Sequence, residues 1–262
     1  MDTKGDGQMD NYQAVFKRKE IKYLLTEQQL AALMPTMQRH MEPDAFAHSS
    51  ISNLYYDTPD FRMVRRSLEK PQYKEKLRLR SYGIPENDTL VFPEIKKKAQ
   101  GIVYKRRVSM PYAQAARYLA GGTPGGGGQI FHELDWMLAS YNTLAPRVFL
   151  SYERDSWKGV EDPSLRLTLD RQILWRTSDL DLRMGAWGES LLEQGQVLME
   201  VKITNAMPLW LADALSENEV FPVSFSKYGR AFETICKENR EMHPNLASIA
   251  PDEIQPRSRL TA

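Results

Sequence analysis

Lysine and arginine recur at every second position along short segments of this 262-residue sequence, with apolar residues between them. The most regular segment has Lys74, Lys76, Arg78 and Arg80 on one parity and leucine on the other. Side chains two residues apart lie on the same face of a β-strand, so this segment predicts a strand with one cationic and one apolar face. Arginine binds phosphate oxygens in pairs and lysine binds them as a point charge. A row of both is therefore suited to the successive phosphates of one chain.

Polar residues of a single parity recur in six further segments. They are Arg18, Glu20 and Lys22; Glu94, Lys96 and Lys98; Lys105 and Arg107; Tyr152 and Arg154; Arg166, Thr168 and Asp170; and Gln196, Glu200, Lys202 and Thr204. Cations dominate this set and glutamates are sparse within it. Because burial of an unpaired ion costs on the order of several kcal/mol, such faces can line a barrel interior only around a polyanion or water. The solvated face of an open sheet explains the pattern equally well.

The charge of the chain is unevenly distributed. The whole sequence carries 35 basic and 34 acidic residues, whereas the segment from Arg62 to Arg107 has 14 basic and 5 acidic ones. A cationic stretch in a neutral chain indicates an anionic ligand bound at one place rather than long-range attraction to nucleic acid. The histidines at 40, 48, 132 and 243 lack the spacing of metal ligands, so a zinc site is unsupported.

The alternation also predicts the elements that carry these residues. Eight strands are predicted, at residues 15–25, 50–58, 73–83, 89–98, 102–110, 146–158, 164–175 and 196–205. Thr26 is predicted to be the N-cap of a helix that ends near Arg39, with Gln29 completing a capping box. Further helices are predicted at 112–119, 130–143 and 208–217, the last with Pro208 in its first turn.

A single domain is predicted over residues 13–240, since a chain with 42% hydrophobic residues can build one large core. Residues 1–12 are predicted to be disordered and 241–262 to form a loose tail. The glycine-rich segment 121–129 is interpreted as a loop within the domain, with a linker between two domains as the alternative. The lone Cys236 excludes an intramolecular disulfide, and no apolar run approaches the roughly 18 residues of a membrane span, so a cytoplasmic protein is predicted.

Eight short motifs, in order along the chain, resemble those of one known family. They are Arg18–Glu20–Lys22, Tyr55-Tyr56-Asp57-Thr58, Lys76–Arg78–Arg80, Glu94–Lys96, Tyr104-Lys105-Arg106-Arg107, Arg166–Asp170, Glu200–Lys202 and Ser226-Lys227-Tyr228. Together they resemble the VTC domain, the polyphosphate polymerase domain of the triphosphate tunnel metalloenzyme superfamily, also found as free-standing bacterial proteins. The resemblance implies an α+β fold, in which an eight-stranded antiparallel β tunnel barrel carries helices on its outside. It also implies transfer of the ATP γ-phosphate to inorganic polyphosphate, with Mn²⁺ or Mg²⁺ as cofactor.

By motif position, the resemblance assigns a role to eleven residues. Those expected to bind ATP, another nucleoside triphosphate or polyphosphate are Lys22, Arg78, Arg80, Lys96, Lys105, Tyr152, Arg154, Arg166, Lys202 and Lys227. Within this set, those expected to act on the transferring phosphate are Arg78, Arg80, Lys96, Arg166 and Lys227. Glu200 matches the metal-coordinating carboxylate, and Tyr152 a residue near the nucleotide base. The alternatives are that Tyr152 packs in the barrel wall, and that Lys22, Arg166 and Lys202 pair with Glu20, Asp170 and Glu200.

Three positions differ from the patterns of related proteins. Ser224 stands where eukaryotic polymerases have a second lysine, Lys98 replaces a histidine, and Arg18 takes the place of the first glutamate of a Glu-x-Glu-x-Lys motif. Arg18 disfavours a two-glutamate metal site, and with it simple triphosphate hydrolysis. Three functions stay open at this point: a polyphosphate polymerase that uses ATP, a triphosphatase or polyphosphatase, and a non-catalytic polyphosphate- or nucleotide-sensing module with a membrane-protein partner.

Overall fold

The computed structural model describes residues 19–100, 102–122, 126–204 and 206–242, with side chains as far as residue 239. The predicted disordered segment 1–12 lies outside the described residues, as do positions 15–18 of the first predicted strand. Each helix in the described ranges is too short or too polar to cross a membrane.

Within these ranges, ten antiparallel strands form one sheet. They are β1 (Lys19–Thr26), β2 (Met41–Asp57), β3 (Tyr73–Tyr82), β4 (Leu90–Ala99), β5 (Ile102–Arg107), β6 (Met110–Pro111), β7 (Ala145–Gly159), β8 (Arg166–Arg176), β9 (Glu189–Ser190) and β10 (Gln196–Ile203). Eight of them run in the order β1-β10-β8-β7-β2-β3-β4-β5, while β6 pairs with β4 and β9 with β8. All eight predicted strands are present. The two extra strands have two residues each, too few to show a period of two.

The sheet curls without closing through backbone hydrogen bonds. Within the described ranges, β1 and β5 at the two ends of the order do not pair with each other. The curl nevertheless brings the Lys96 Nζ of β4 to 4.0 Å from the Glu20 Oε2 of β1. The prediction of a barrel with antiparallel strands is therefore confirmed in its strand direction, while its closure and its count of eight strands are not.

In the described residues, six helices connect or follow the strands. They are α1 (Glu27–His40), α2 (Arg62–Leu68), α3 (Tyr112–Leu119), α4 (Gln129–Tyr141), α5 (Leu209–Glu217) and α6 (Lys227–Met242), with a 3₁₀ turn at Leu182–Met184. The capping box of α1 is confirmed, since the Gln29 N–H donates to the Thr26 hydroxyl at 3.1 Å and the Thr26 N–H donates to Gln29 Oε1 at 3.0 Å. Pro208 is the N-cap of α5 rather than a residue of its first turn.

Four helices cover the outer face of the sheet. Leu30 and Leu33 of α1, together with α5, pack on Met199 and Val201 of β10. On the other side, α3 and α4 pack on β2, β3 and β4 through a second apolar cluster that includes Leu134. The apolar parity of the strands therefore faces the helices, as the sequence pattern predicts.

Helix α6 corrects the prediction that all helices pack outside the barrel. Its residues Tyr228, Phe232 and Ile235 share a buried cluster with Leu150 and Leu198. These two leucines lie on the inner face of the sheet, which we define as the face that carries Lys22, Arg78 and Glu200. The inner face is apolar around these two leucines because uncharged residues occupy the inward-facing positions of the strands there. A helix with an apolar stripe fills that space.

The strands on either side of the glycine-rich segment interleave in the sheet, since β7, β8 and β10 lie between β1 and β2. Residues 123–125 of that segment lie outside the described ranges. Helix α6 continues to Met242, so residues 241 and 242, which were predicted to belong to a loose tail, are helical. Residues 243–262 lie outside the described ranges.

Candidate phosphate-binding site

The strand register brings the charged positions together on the inner face. Lys22 of β1 lies opposite Glu200 of β10, and Glu200 lies opposite Thr168 of β8. Arg78 of β3 likewise lies opposite Glu94 of β4. Residues directly opposite one another in antiparallel strands project from the same face. Within each of these groups of paired strands, the charged residues therefore project from a common face.

Arg78 and Glu94 form a buried ion pair. The Arg78 Nε and Nη2 donate to Glu94 Oε2 at 2.8 and 2.5 Å, and Arg78 Nη1 donates to the Tyr55 hydroxyl at 3.3 Å. Burial opposes the ionisation of Glu94, but the charges of Arg78 and Arg80 lower its pKa. The Glu94 Oε1 atom is buried and has no hydrogen-bonding partner in the described ranges. The pair thus fixes the Arg78 guanidinium and leaves one carboxylate oxygen unused.

Arg80 is a buried cation whose hydrogen-bonding partners are neutral. Its Nε donates to Asn53 Oδ1 at 3.0 Å, and its Nη2 donates to the Tyr152 hydroxyl at 3.1 Å. Only 5% of the residue is exposed, and no carboxylate in the described part of the chain pairs with it. Glu94, whose pKa Arg80 also lowers, is already hydrogen-bonded to Arg78. Because a buried charge is costly unless it is fully paired, this guanidinium marks a place where a bound anion would further stabilise the protein.

These cations lower the pKa values of two buried tyrosines. Burial opposes ionisation of the Tyr55 phenol, but Arg78 and Lys76 lower its pKa to about 8. The pKa of Tyr152 is also lowered, against the effect of burial, by Arg80 and other cations. A positive potential strong enough to favour phenolate will favour any other anion in the same place.

Asp170 joins a strand cation to a helix cation. The Arg154 Nε and Nη2 of β7 donate to the two Asp170 oxygens at 2.6 and 2.7 Å, and Lys227 Nζ of α6 donates to Oδ2 at 2.5 Å. Asp170 is fully buried. Burial opposes its ionisation, but Lys227 and Arg154 lower its pKa. One carboxylate therefore orients two cations, and the charge of the group stays net positive.

Glu200 has the chemistry expected of a ligand for a hard cation. Its oxygens accept from Lys202 Nζ at 2.8 Å and lie 3.8 Å from Lys22 Nζ. Burial would raise its pKa, but Lys202 and Lys22 hold the pKa well below the usual range, so it is a carboxylate. The hydroxyl of Thr168, directly opposite, is buried and has no hydrogen-bonding partner in the described chain.

The oxygen donors at Glu200 fit a divalent metal only in part. The described residues contain no group of three or more His, Cys, Asp or Glu side chains that could hold a metal ion. A hard cation with one carboxylate and one hydroxyl would have to take its other ligands from phosphate oxygens and water, which Mg²⁺ commonly does. The donor types therefore fit a metal that arrives with a phosphate ligand.

Three lysines form a row across neighbouring strands. Lys76 of β3 lies opposite Lys96 of β4, and Lys96 lies opposite Lys105 of β5. Burial and the nearby Lys96 lower the pKa of Lys76 to about 8, although the Tyr55 phenol opposes this. Burial lowers the pKa of Lys105 to about 8 as well, with help from Arg80 and Arg78, even though its side chain reaches solvent.

The family model of the VTC domain matches residues 17–236. The chain belongs to this family. No curated protein sequence matches it.

This VTC domain is similar to solved structures. The crystal structure of a Bacillus halodurans protein, considered a candidate adenylate cyclase, has 14% identity and a TM-score of 0.52, covering 80% of this chain and 95% of that one. A candidate adenylyl cyclase of Hippeastrum with a dominant triphosphatase activity covers 80% of this chain and 92% of its own, with 15% identity and a TM-score of 0.48. At 14% identity, the likeness to the Bacillus halodurans structure concerns the fold alone.

Two of the motifs quoted for the VTC domain meet in space. Tyr55 of the Tyr-Tyr-Asp-Thr motif stacks on Tyr228 of the Ser-Lys-Tyr motif. Asp57 accepts from the Tyr228 hydroxyl at 2.9 Å and from the N–H groups of Met63 and Val64 at 2.8 and 3.0 Å. The carboxylate thus caps α2 and anchors α6 at the same time. This contact brings Lys227 to the inner face.

Arg166 lies apart from the central arginines of the VTC domain. Its guanidinium pairs with Asp44 of β2, and its side chain is 40% exposed. The alternative that Arg166 pairs with Asp170 is therefore wrong, because Arg154 and Lys227 already occupy that carboxylate. The corresponding alternatives for Lys22, with Glu20 at 3.5 Å, and for Lys202, with Glu200, describe contacts that are present.

Tyr152 is 4% exposed, and two cations lie over its ring, Lys227 Nζ at 4.5 Å and Arg154 Cζ at 5.0 Å from the centroid. These contacts favour the wall-packing alternative, and its role near a nucleotide base stays a prediction. Sequence reasoning missed Asn53 and Tyr55 as partners of the arginines. Both share the strand parity that leads to Asp57, and a search for uncharged inward positions on β2 would have found them.

Proposed function

We propose that this VTC domain is a metal-dependent polyphosphate polymerase that transfers the γ-phosphate of ATP to a polyphosphate chain held on its inner face. The observation that carries the proposal is Arg80, a buried guanidinium with only neutral partners. Such a charge is stabilised by an anion, and the lysines beside it extend the cationic surface over the length of several phosphates. Membership in the VTC domain family makes a phosphate chain the expected anion.

We infer that the curled sheet encloses the phosphate chain in a tunnel of eight strands. The approach of Lys96 to Glu20 across the two ends of the strand order supports this, because it brings β4 beside β1. A narrow, partly dry passage strengthens each contact between a phosphate and a cation. Arg78, Arg80, Lys96 and Lys227 would act on the transferring phosphate, and Lys22, Lys105, Arg154, Arg166 and Lys202 would hold the remainder of the ligand.

Phosphoryl transfer to polyphosphate needs positioning and charge neutralisation rather than a protein nucleophile. A terminal phosphate oxygen of the acceptor forms the new bond to the γ-phosphorus, and the bond to the β-phosphate oxygen breaks to release ADP. Because the attacking oxygen is already anionic, the reaction needs no general base, and the site as described has no histidine. Arg78 and Arg154 are held by Glu94 and Asp170, so their remaining N–H groups are fixed in direction before the ligand binds.

Glu200, with the Thr168 hydroxyl beside it, would hold Mn²⁺ or Mg²⁺, which supplies additional neutralisation of the phosphate charge when bound. The Lys22 and Lys202 side chains that contact Glu200 keep it ionised. Both lysines then also lie where they can contact phosphates bound to the metal.

Product analysis tests the proposal. Purified protein is incubated with ATP and Mn²⁺, and the phosphate products are separated by length. Long polyphosphate is the expected product, and Arg78→Ala should abolish it, while Arg117→Ala on the outer helix α3 should leave it unchanged. Release of free phosphate alone would replace the polymerase with a triphosphatase. Tight binding of ATP or polyphosphate without any product would indicate a sensing module, with a membrane protein as a candidate partner.

A further inference from the structure

The lysines of β3 and β4 continue past the central site as pairs of like charge. Lys76 lies directly opposite Lys96, and one rung further along the same two strands Lys74 lies directly opposite Lys98. The two rungs are two residues apart, which is about 7 Å along a strand. Like charges directly opposite one another destabilise an antiparallel pair, so two successive rungs of this kind need an explanation.

The rung formed by Lys74 and Lys98, the outer rung of the two, has no ion-pairing carboxylate in the described residues. In the described part of the chain, neither Lys74 nor Lys98 forms an ion pair, whereas Lys96 Nζ of the neighbouring rung lies 4.0 Å from Glu20 Oε2. Lys98 and the neighbouring Lys70 are exposed, whereas Lys74 is partly buried. Burial lowers the pKa of Lys74, and the charges of Lys98, Lys96 and Lys70 lower it further. Four lysines are therefore close enough to repel one another at one edge of the inner face.

A purely structural role accounts for only one of these lysines. Lys74 Nζ donates to the Ser67 carbonyl at 3.0 Å, near the C-terminal end of α2, where a cation is favourable. That contact explains the position of Lys74. It gives no reason for Lys98 to lie opposite it, since a neutral or acidic residue there would relieve the repulsion.

We propose that Lys74 and Lys98, together with Lys70, form a second phosphate-binding segment that holds the part of a linear polyphosphate chain emerging from the central site. The row from Arg80 through Arg78 and Lys76 to Lys74 on β3 leads directly to it. The ligand class is inorganic polyphosphate longer than a triphosphate, because a short ligand that occupies the arginines does not extend to the outer rung. This inference rests on the proposed function and adds a direction for the chain, toward the C-terminal end of α2.

Chain-length-dependent binding tests the inference. Dissociation constants for tripolyphosphate and for long-chain polyphosphate are measured by calorimetry with the full chain, the double variant Lys74→Gln/Lys98→Gln and the single variant Lys98→Gln. The matched control is Lys97→Gln, which removes the same charge from the same strand on the outer face, where Lys97 pairs with Glu133 at 3.1 Å. The single variant Lys98→Gln keeps the test valid if the double variant misfolds. Lys98 is exposed and, unlike Lys74, makes no hydrogen bond to α2, so its replacement should not disturb the fold.

The wild-type protein should bind long-chain polyphosphate more tightly than tripolyphosphate at equal phosphate concentration. The double variant should reduce that preference about tenfold, and Lys98→Gln should reduce it severalfold, as expected for loss of charged hydrogen bonds to phosphate. Either of two results would overturn the second segment while leaving the central site intact. One is an equal loss of affinity for both ligands, and the other is a preference for long-chain polyphosphate equal to that of the Lys97→Gln variant. A wild-type protein that binds neither ligand would overturn the proposed function and this inference together.

Discussion

The Tyr228 ring of α6 stacks on the Tyr55 ring of β2, with centroids 4.5 Å apart and an angle of 18° between the planes. Tyr55 also accepts from Arg78, so this pair connects the helix to the central cation. Because the Tyr228 hydroxyl donates to the buried Asp57, the helix is held by a polar contact as well as by its apolar face. The position of Lys227, one residue earlier, depends on both.

Tyr228→Phe should lower the free energy of unfolding by about 1.5–3 kcal/mol, the contribution of a hydrogen bond to a charged group. The aromatic stack survives, while Asp57 loses one donor. Tyr82→Phe, an exposed tyrosine that packs edge-on against Phe92, is the control and should change stability by less than about 0.5 kcal/mol. Denaturant titration measures both. Equal stabilities for the two variants would show that the Tyr228 hydroxyl does not anchor α6.

Between pH 8 and 10, stability without ligand and affinity for phosphate should change in opposite directions. The pKa values of Lys76 and Tyr55 are lowered to about 8 in the folded protein. In this interval the unfolded chain binds more protons at these groups than the folded chain, so the free energy of unfolding rises with pH. Neutral lysines and a phenolate bind anions less well, so affinity for tripolyphosphate should fall. Thermal unfolding and calorimetry across this range test the pair of trends, and parallel trends would contradict the electrostatic account.

The sequence predicted the strands better than the helices, for a physical reason. Each strand has one apolar and one charged face, and a period of two survives in the sequence whatever lies on either side. Helix α6 packs its apolar stripe against inner positions such as Leu150 and Leu198, and that surface exists only once the sheet has curled. Helix α2 is capped by Asp57 from the preceding strand, with Phe61 in a left-handed conformation (φ 55°) at its start. Neither feature produces a recognisable local pattern.

The candidate site, like the fold, could be predicted from the sequence only in part. Parity along single strands identified Arg78, Arg80, Glu94 and Glu200 as residues of one face. It did not identify which carboxylate holds which cation, because those pairs join different strands and depend on register. The contact of Arg166 with Asp44 illustrates this, since Asp44 lies in the part of β2 that the alternation did not predict.

Asp170→Asn should destabilise the ligand-free protein by roughly 3–5 kcal/mol, because Arg154 and Lys227 then remain buried without their carboxylate. Tripolyphosphate should raise the melting temperature of the variant by more than that of the wild type, since the ligand supplies the missing negative charge. Glu133→Gln, which removes a carboxylate from the outer pair with Lys97, is the control and should cost less than about 1 kcal/mol. An equal ligand response in all three proteins would show that Asp170 does not position cations for phosphate.

The same carboxylate sets an acid limit. Because Lys227 and Arg154 lower the pKa of Asp170 against the effect of burial, its contribution to stability is complete above the unfolded value of about 4 and is lost as the pH falls further. In Asp170→Asn that loss should be smaller. Unfolding curves between pH 6 and 3 compare the two, and identical acid sensitivity would contradict the shift.

Glu200→Gln should separate metal binding from phosphate binding. The amide keeps the size of the side chain but removes the charge that attracts a hard cation. Turnover with Mn²⁺ should fall by about 10² or more, as for other electrostatic contributors to a transition state. Binding of a non-hydrolysable ATP analogue in EDTA should survive or tighten, because a negative charge next to the phosphates is gone. If Glu200→Gln instead loses metal-free binding, as expected for Arg78→Ala, then Glu200 is a structural partner of Lys22 and Lys202.

Calorimetry of tripolyphosphate with Arg80→Met tests whether the inner-face cations bind a phosphate chain. Methionine fills much of the volume of the arginine stem while removing a buried charge that has only neutral partners. Wild-type protein should bind tripolyphosphate far more tightly than sulfate at equal ionic strength. Arg80→Met should weaken that binding by about 10- to 100-fold. Arg117→Met, on the outer helix α3, should bind as the wild type does. Two results would contradict binding of a phosphate chain by the inner-face cations. One is equal affinity of the wild type and Arg80→Met for tripolyphosphate, and the other is a wild-type affinity for tripolyphosphate no higher than that for sulfate.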